Sequence, residues 1–247
     1  INNVLFVEDH KQRGMYHPRI AAQQCFIYER LQQHEKDAFN SLYNHYFYER
    51  HNQFWYDCAM EKLPELCEAA PMLPCGEDLG MVPDCVPWVM NELKLLSLEI
   101  QRMPKDPKHE FGHVEWYPER SVCTIGTHDM ATFRGWWRED YSQTCRYYYD
   151  ILHFGGEVPG DVPGWVCEEV VRRHLNCPSM LTILALQDWL AIDEQLRHPD
   201  IESERINVPA NPRHYWRYRM HLSIESLLQQ TAFNQRVTAL VEQSGRQ

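Results

Sequence analysis

The sequence predicts an α/β fold built on a parallel sheet, and three observations lead there. Short apolar runs of strand length recur at residues 72–76, 95–100, 122–125 and 180–186. Polar loops, or segments with helically spaced apolar residues, separate them. Two of the runs end on carboxylates at glycine-bearing turns, Cys75-Gly76-Glu77-Asp78 and Ile125-Gly126-Thr127-His128-Asp129. Buried strands alternating with helices describe a parallel architecture. Acids at strand ends suit the (β/α)8 barrel, whose reacting groups gather at that face. Four strands supply half of such a barrel.

Taken in order, residues 1–20 are polar, carry Gly14 and Pro18, and read as loop with at most a short strand near Val4 to Val7. Residues 21–50 lack Gly and Pro and place apolar residues at helical spacing. A further helix follows over 51–67, with an interruption expected at Pro64. Residues 1–70 therefore form a mostly helical subdomain, and 71–247 carry the strands. After the first strand a helix is expected over 82–92, with Pro83 near its first turn. A polar loop with Pro104, Pro107 and Pro118 follows the second strand. A helix opens near Ala131, and residues 141–177 are mixed helix around a Gly/Pro turn at 155–164. The last apolar run leads into Gln187-Asp188-Trp189.

Composition removes several classes of function. The net charge of −11 is the wrong sign for a phosphate backbone or an anionic membrane surface, so neither nucleic acid nor membrane is an expected partner. No apolar run reaches membrane-spanning length, and the opening Ile1-Asn2-Asn3-Val4 lacks the basic and apolar regions of a signal peptide. The nine cysteines are odd in number and show no CxxC spacing, which fits reduced thiols in a cytoplasmic protein. Glu8, Asp9, His10 and His17 cluster without a familiar zinc spacing and read as a solvated loop. No metal and no cofactor are expected. With 13 Tyr, 9 Phe and 8 Trp, rings are available both for the core and for stacking on sugar faces.

On these residues the chain resembles the C-terminal part of a family-77 4-α-glucanotransferase, also called amylomaltase or disproportionating enzyme. Cys75-Gly76-Glu77-Asp78-Leu79-Gly80 is similar to the family's (A/G)EDLG motif, and Gly126-Thr127-His128-Asp129 to its GTHD motif. Leu186-Gln187-Asp188 resembles a later LQD segment, and Asn207-Val208-Pro209 with Trp216-Arg217-Tyr218-Arg219 resembles the NxPG and NWxWR segments. Ala210 and Tyr215 depart from the commoner Gly and Asn there. Met130-Ala131-Thr132-Phe133-Arg134 replaces the commoner continuation of GTHD and looks like the subgroup of plant cytosolic enzymes and their bacterial relatives.

The resemblance implies the C-terminal half of a (β/α)8 barrel, preceded by that subgroup's helical insertion. It implies transfer of α-1,4-glucan segments or glucose between glucans, maltose among them, by a retaining double displacement. Glu77 takes the role of general acid/base, Asp129 that of transition-state stabiliser, and His128 that of a sugar ligand. Asp78, Gln187, Asp188 and Arg102 are further substrate-site candidates. Asp78 can instead cap the following helix, and Gln187 and Asp188 can equally belong to a helix start. Arg102 is expected to hold a site carboxylate through a bidentate pair. Trp136, Trp137 and Trp216 fit packing better than sugar platforms. The family's nucleophilic Asp lies in an RxDH segment. Val7-Glu8-Asp9-His10 matches it only superficially, so the nucleophile and the N-terminal half-barrel are expected outside these residues, and the chain alone is expected to be inactive. The competing reading is a non-catalytic carbohydrate-binding or interaction module derived from such an enzyme.

Overall fold

The structure is a computed structural model that describes residues 4–246; residues 1–3 of the polar opening and Gln247 lie outside the described residues. The chain forms two compact units that interleave in sequence. Ile1–Pro74 groups with Gly80–Leu95, and Cys75–Leu79 groups with Leu96–Gln247.

In the first unit the expected polar loop is a hairpin. Strands β1 (Phe6–Glu8) and β2 (Tyr16–Pro18) pair antiparallel, with Val7 opposite His17. Gly14 takes a φ of +85° in the turn, a conformation that costs other residues energy. A short helix α1 (Phe26–Glu29) precedes α2 (Gln33–Asn44), whose Glu35 side chain accepts the Gln32 backbone N–H at 2.8 Å. Phe39 and Tyr43 sit one helical turn apart and bury against Leu5 and Ala22. A π-helical turn over His45–Arg50 joins α2 to α3 (His51–Glu68). The break expected at Pro64 is absent: α3 runs through it. The helix α4 (Cys85–Glu92) packs on α3, with Tyr56 and Trp88 rings 4.6 Å apart and Asn52 accepting the Cys85 N–H. Those contacts lie N-terminal to Pro64 and are untouched by the one backbone donor it lacks.

The second unit holds the parallel sheet. Strands β3 (Ser97–Ile100), β4 (Ser121–Thr124) and β5 (Leu181–Thr182) lie in that order, with Leu98 opposite Val122 and Val122 opposite Leu181. The strand expected over 72–76 contributes a single parallel bridge, Cys75 to Leu96, on the outer side of β3. The run expected over 180–186 contributes only two ladder residues before the chain turns into a helix. Helices α5 (Phe133–Glu139), α6 (Tyr141–Arg146) and α7 (Gly164–Leu175) follow β4. Their apolar faces meet in one core with Trp137, Tyr147, Val166, Val170 and Val171 almost fully buried. Helices α8 (Leu186–Leu190), α9 (Ile224–Leu228) and α10 (Thr231–Gln243) complete the unit. Phe233 and Leu240 of α10 enter the same core. All nine cysteines are free, and the Cys123 and Cys177 sulfurs approach to 3.2 Å. Among the described residues no helix is long and apolar enough to cross a membrane.

Candidate active site

Parallel pairing decides which residues share an edge. Glu77 stands two residues past the Cys75 bridge, Arg102 two past β3, His128 and Asp129 past β4, and Gln187 and Asp188 past β5. All of them follow the C-terminal ends of neighbouring parallel segments, so they gather at one edge of the sheet. That is the edge at which parallel α/β folds place ligands.

The turn after β4 is built by its own polar atoms. The Thr124 hydroxyl donates to the Gly126 carbonyl at 3.0 Å. Asp129 is about half exposed, and its side chain has two neighbours. Asn207 Nδ2 donates to Asp129 Oδ1, and His128 Nε2 lies 3.5 Å from Oδ2. The Asn207 backbone N–H donates to the His128 carbonyl at 3.1 Å. Asn207 thus grips both residues of the His-Asp pair. The exposed Trp216 ring lies 4.8 Å from the His128 ring, so the face expected to pack inward borders the candidate site instead.

Glu77 is exposed, and among the described residues its carboxylate makes no side-chain hydrogen bond. Asp78 departs from its expected role as a sugar ligand. It is buried, Oδ1 accepts the Leu98 N–H at 2.9 Å, and Oδ2 accepts Lys105 Nζ at 2.6 Å. Lys105 also reaches Glu99 at 2.7 Å. Both Asp78 oxygens serve the fold, and the N-cap position of α4 belongs to Asp84.

Gln187 and Asp188 are likewise buried and turned to protein. Gln187 Nε2 donates to the Glu204 carbonyl at 3.0 Å. Asp188 is the third residue of α8 and accepts from the backbone of Ala185, its N-cap, and of Phe133, the first residue of α5. Burial pushes its carboxyl up to about 6, against the opposing pull of Arg102. Of the two readings left open for this pair, Asp188 makes the helix-start contact with Ala185, whereas Gln187 ties α8 to Glu204. Arg102 also differs from expectation. It donates to two backbone carbonyls, Ile125 at 3.2 Å and Ala131 at 3.0 Å, and among the described residues no carboxylate lies within ion-pair distance. Beside it a cavity of about 50 Å³ is lined by His128, Thr132, Gln187, Asp188 and Glu204 among others. That is well below the roughly 300–1,000 Å³ of ligand pockets, so it admits a hydroxyl group and not a sugar ring.

Two participants escaped the sequence reading. Asn207 lay in a recognised Asn-x-Pro segment without a role. Glu204, in the solvated-looking Glu202-Ser203-Glu204, is 2% exposed and pairs with buried Arg134 while accepting the Thr132 hydroxyl at 3.1 Å. Asp9 lies in the first unit, where His17 chiefly, with the Lys11 and Gln12 amides, holds its pKa down near 2.

A family model described as 4-alpha-glucanotransferase, glycoside hydrolase family 77, matches residues 20–224. The chain belongs to that family. The 4-alpha-glucanotransferase DPE2 of Oryza sativa subsp. japonica is 36% identical over 246 residues, all of this chain but 26% of the rice protein. The 4-alpha-glucanotransferase of Chlamydia pneumoniae is 28% identical over 70% of this chain and 33% of its own length. The chain thus spans about a quarter to a third of the length of these two relatives. Two solved amylomaltases share its fold. That of Streptococcus agalactiae in complex with acarbose has a TM-score of 0.53 and 20% identity, covering 74% of this chain and 35% of its own. That of Corynebacterium glutamicum has a TM-score of 0.56 and 17% identity, covering 72% and 30%.

Proposed function

We propose that this chain is the C-terminal half-barrel, with its helical insertion, of a cytoplasmic 4-α-glucanotransferase, and that it carries two of that enzyme's three acids. A carboxylate from outside these residues attacks the anomeric carbon of the donor. Glu77 gives its proton to the departing glycosidic oxygen and later takes one from the acceptor hydroxyl. Asp129 stabilises positive charge on the oxocarbenium-like ring. His128 hydrogen-bonds sugar hydroxyls, and Trp216 borders the same ring. The substrates are neutral α-1,4-glucans, maltose among them, which suits a chain of net charge −11.

The tethering of Asp129 is the observation that carries this reading. Asn207 holds one oxygen and fixes the preceding His128 carbonyl, leaving the carboxylate exposed at the strand-end edge. A carboxylate that served only the fold would be engaged on both oxygens, as Asp78 is.

The test compares the isolated chain with the protein that carries it, each incubated with maltotriose. Glucose and longer dextrins are expected from the longer protein alone, because removing one member of a catalytic set removes most of the rate enhancement. Disproportionation by the isolated chain would place the nucleophile within these residues and overturn the division of acids.

A further inference from the structure

We propose that Arg102 is a positioning residue that clamps the loop bearing His128 and Asp129 from its two ends, and that Gly126 is glycine because the clamp occupies its side-chain space. The inference rests on the reading of Asp129 as the transition-state stabiliser. Arg102 enters from beyond β3, a different strand from the one that carries the loop. Its Nε donates to the Ile125 carbonyl at 3.2 Å and its Nη2 to the Ala131 carbonyl at 3.0 Å. Those carbonyls stand immediately before and shortly after residues 126–130, so one planar group fixes the loop's entry and exit together. A guanidinium suits the task because its donors lie in a rigid fork. The group is steadied by the Trp136 ring, whose centroid lies 5.4 Å from Cζ.

Gly126 records the same clamp from the other side. A Cβ there would meet Arg102 Nη2 at 2.4 Å, inside contact distance. A side chain at residue 126 must displace the guanidinium. With Asn207 on the loop's tip and Arg102 on its ends, Asp129 is set by two independent anchors. Misplacing a reacting group by about 1 Å costs on the order of 10²-fold in rate.

The experiment uses the protein that carries this chain, with variants Arg102→Lys, Arg102→Met, Gly126→Ala, the double variant Gly126→Ala/Arg102→Met, and Asp129→Asn as reference. Each is assayed on maltotriose and on an α-glucosyl fluoride. A lysine supplies a point charge that cannot span both carbonyls. The clamp predicts that both Arg102 variants lose about 10²-fold in kcat on both donors with KM little changed, as misplacing Asp129 requires. Gly126→Ala should lose about as much, and the double variant no more than either single change, since each removes one clamp. Multiplying losses in the double variant would overturn the clamp, as would an Arg102→Lys enzyme with kcat near normal while Asp129→Asn is crippled. Loss confined to maltotriose would place Arg102 with the proton donor and overturn it too. A fully active Asp129→Asn enzyme would overturn the stabiliser reading itself, and the clamp's catalytic role with it.

Discussion

Asp129 and Asp78 show how much one hydrogen-bond partner decides. Each follows a parallel strand or bridge, and each stands in an apolar-to-acidic motif. Asp78 is closed off by Lys105 and the Leu98 amide, whereas Asp129 keeps one oxygen near His128 alone. Asn207 is the group that aims it. A hydrogen bond to a charged partner is worth about 1.5–3 kcal/mol, so Asn207→Ala should lower kcat by about 10- to 100-fold with little change in KM. Steady-state kinetics on a glucan donor read this directly, and an unchanged kcat would remove Asn207 from the site. The sequence motifs point to Glu77, His128 and Asp129, because carboxylates at glycine-bearing strand ends have a local signature. They did not foresee the contacts of Asp78, Gln187, Asp188 and Arg102, because what those side chains touch lies mostly 17 or more residues away, at Leu98, Glu204, Phe133 and Ile125.

At the scale of elements, the start of α5 is tied to the 202–204 turn by one buried ion pair. Arg134 and Glu204 are 6% and 2% exposed, and Thr132 and Gln187 join them. Removing one partner strands the other charge in the interior. Glu204→Ala should therefore cost about 3–5 kcal/mol of stability, and a paired apolar replacement of Arg134 and Glu204 should cost far less. Chemical denaturation of the three proteins measures this, and a cost below about 1 kcal/mol for Glu204→Ala would mean that the pair is solvated. The strands 97–100 and 121–124 were legible as apolar runs bounded by polar turns. The runs at 72–76 and 180–186 were overread as strands, since periodicity does not separate a short strand from an apolar approach to a helix. Helix α10 went unread although Phe233, Val237 and Leu240 are helically spaced, because Gln230 gives it no side-chain cap.

Across the whole molecule, two buried titrating groups oppose each other. His174 is fully buried, its ring bonded to the Val170 carbonyl at 2.8 Å, and burial lowers its pKa to about 4. Its unfolded value is near 6.5, so its share of stability is present above that pH and is lost as pH falls toward 4. Asp188 has the opposite sense. Its carboxyl is raised from 3.8 to about 6, so its share is present at low pH and is lost as pH rises through 6. The two nearly cancel between pH 4 and 6. Asp188→Asn removes one side of the balance. Relative to the parent, its stability should rise by up to about 3 kcal/mol from pH 4 to pH 6, read from denaturant melts at both values. A constant difference would mean that Asp188 is ionised normally in the fold.

The α/β class and the family were legible over residues 72–220, where the ordered motifs lie. The interleaving of Gly80–Leu95 with the first unit was not, because it depends on α3 meeting α4. The central claim is that Glu77 is a proton donor and Asp129 a charge stabiliser in one glucan-transferring site. The most direct test compares Glu77→Gln and Asp129→Asn, in the protein that carries this chain, on a glucan and on a glycosyl fluoride. Glu77→Gln should slow transfer from the glucan by about 10²- to 10⁴-fold and spare the fluoride's first step, whose leaving group needs little protonation. Asp129→Asn should slow both donors, because charge develops at the anomeric carbon in each. Slight and equal effects of both changes on both donors would contradict the account and leave a carbohydrate-binding module in its place.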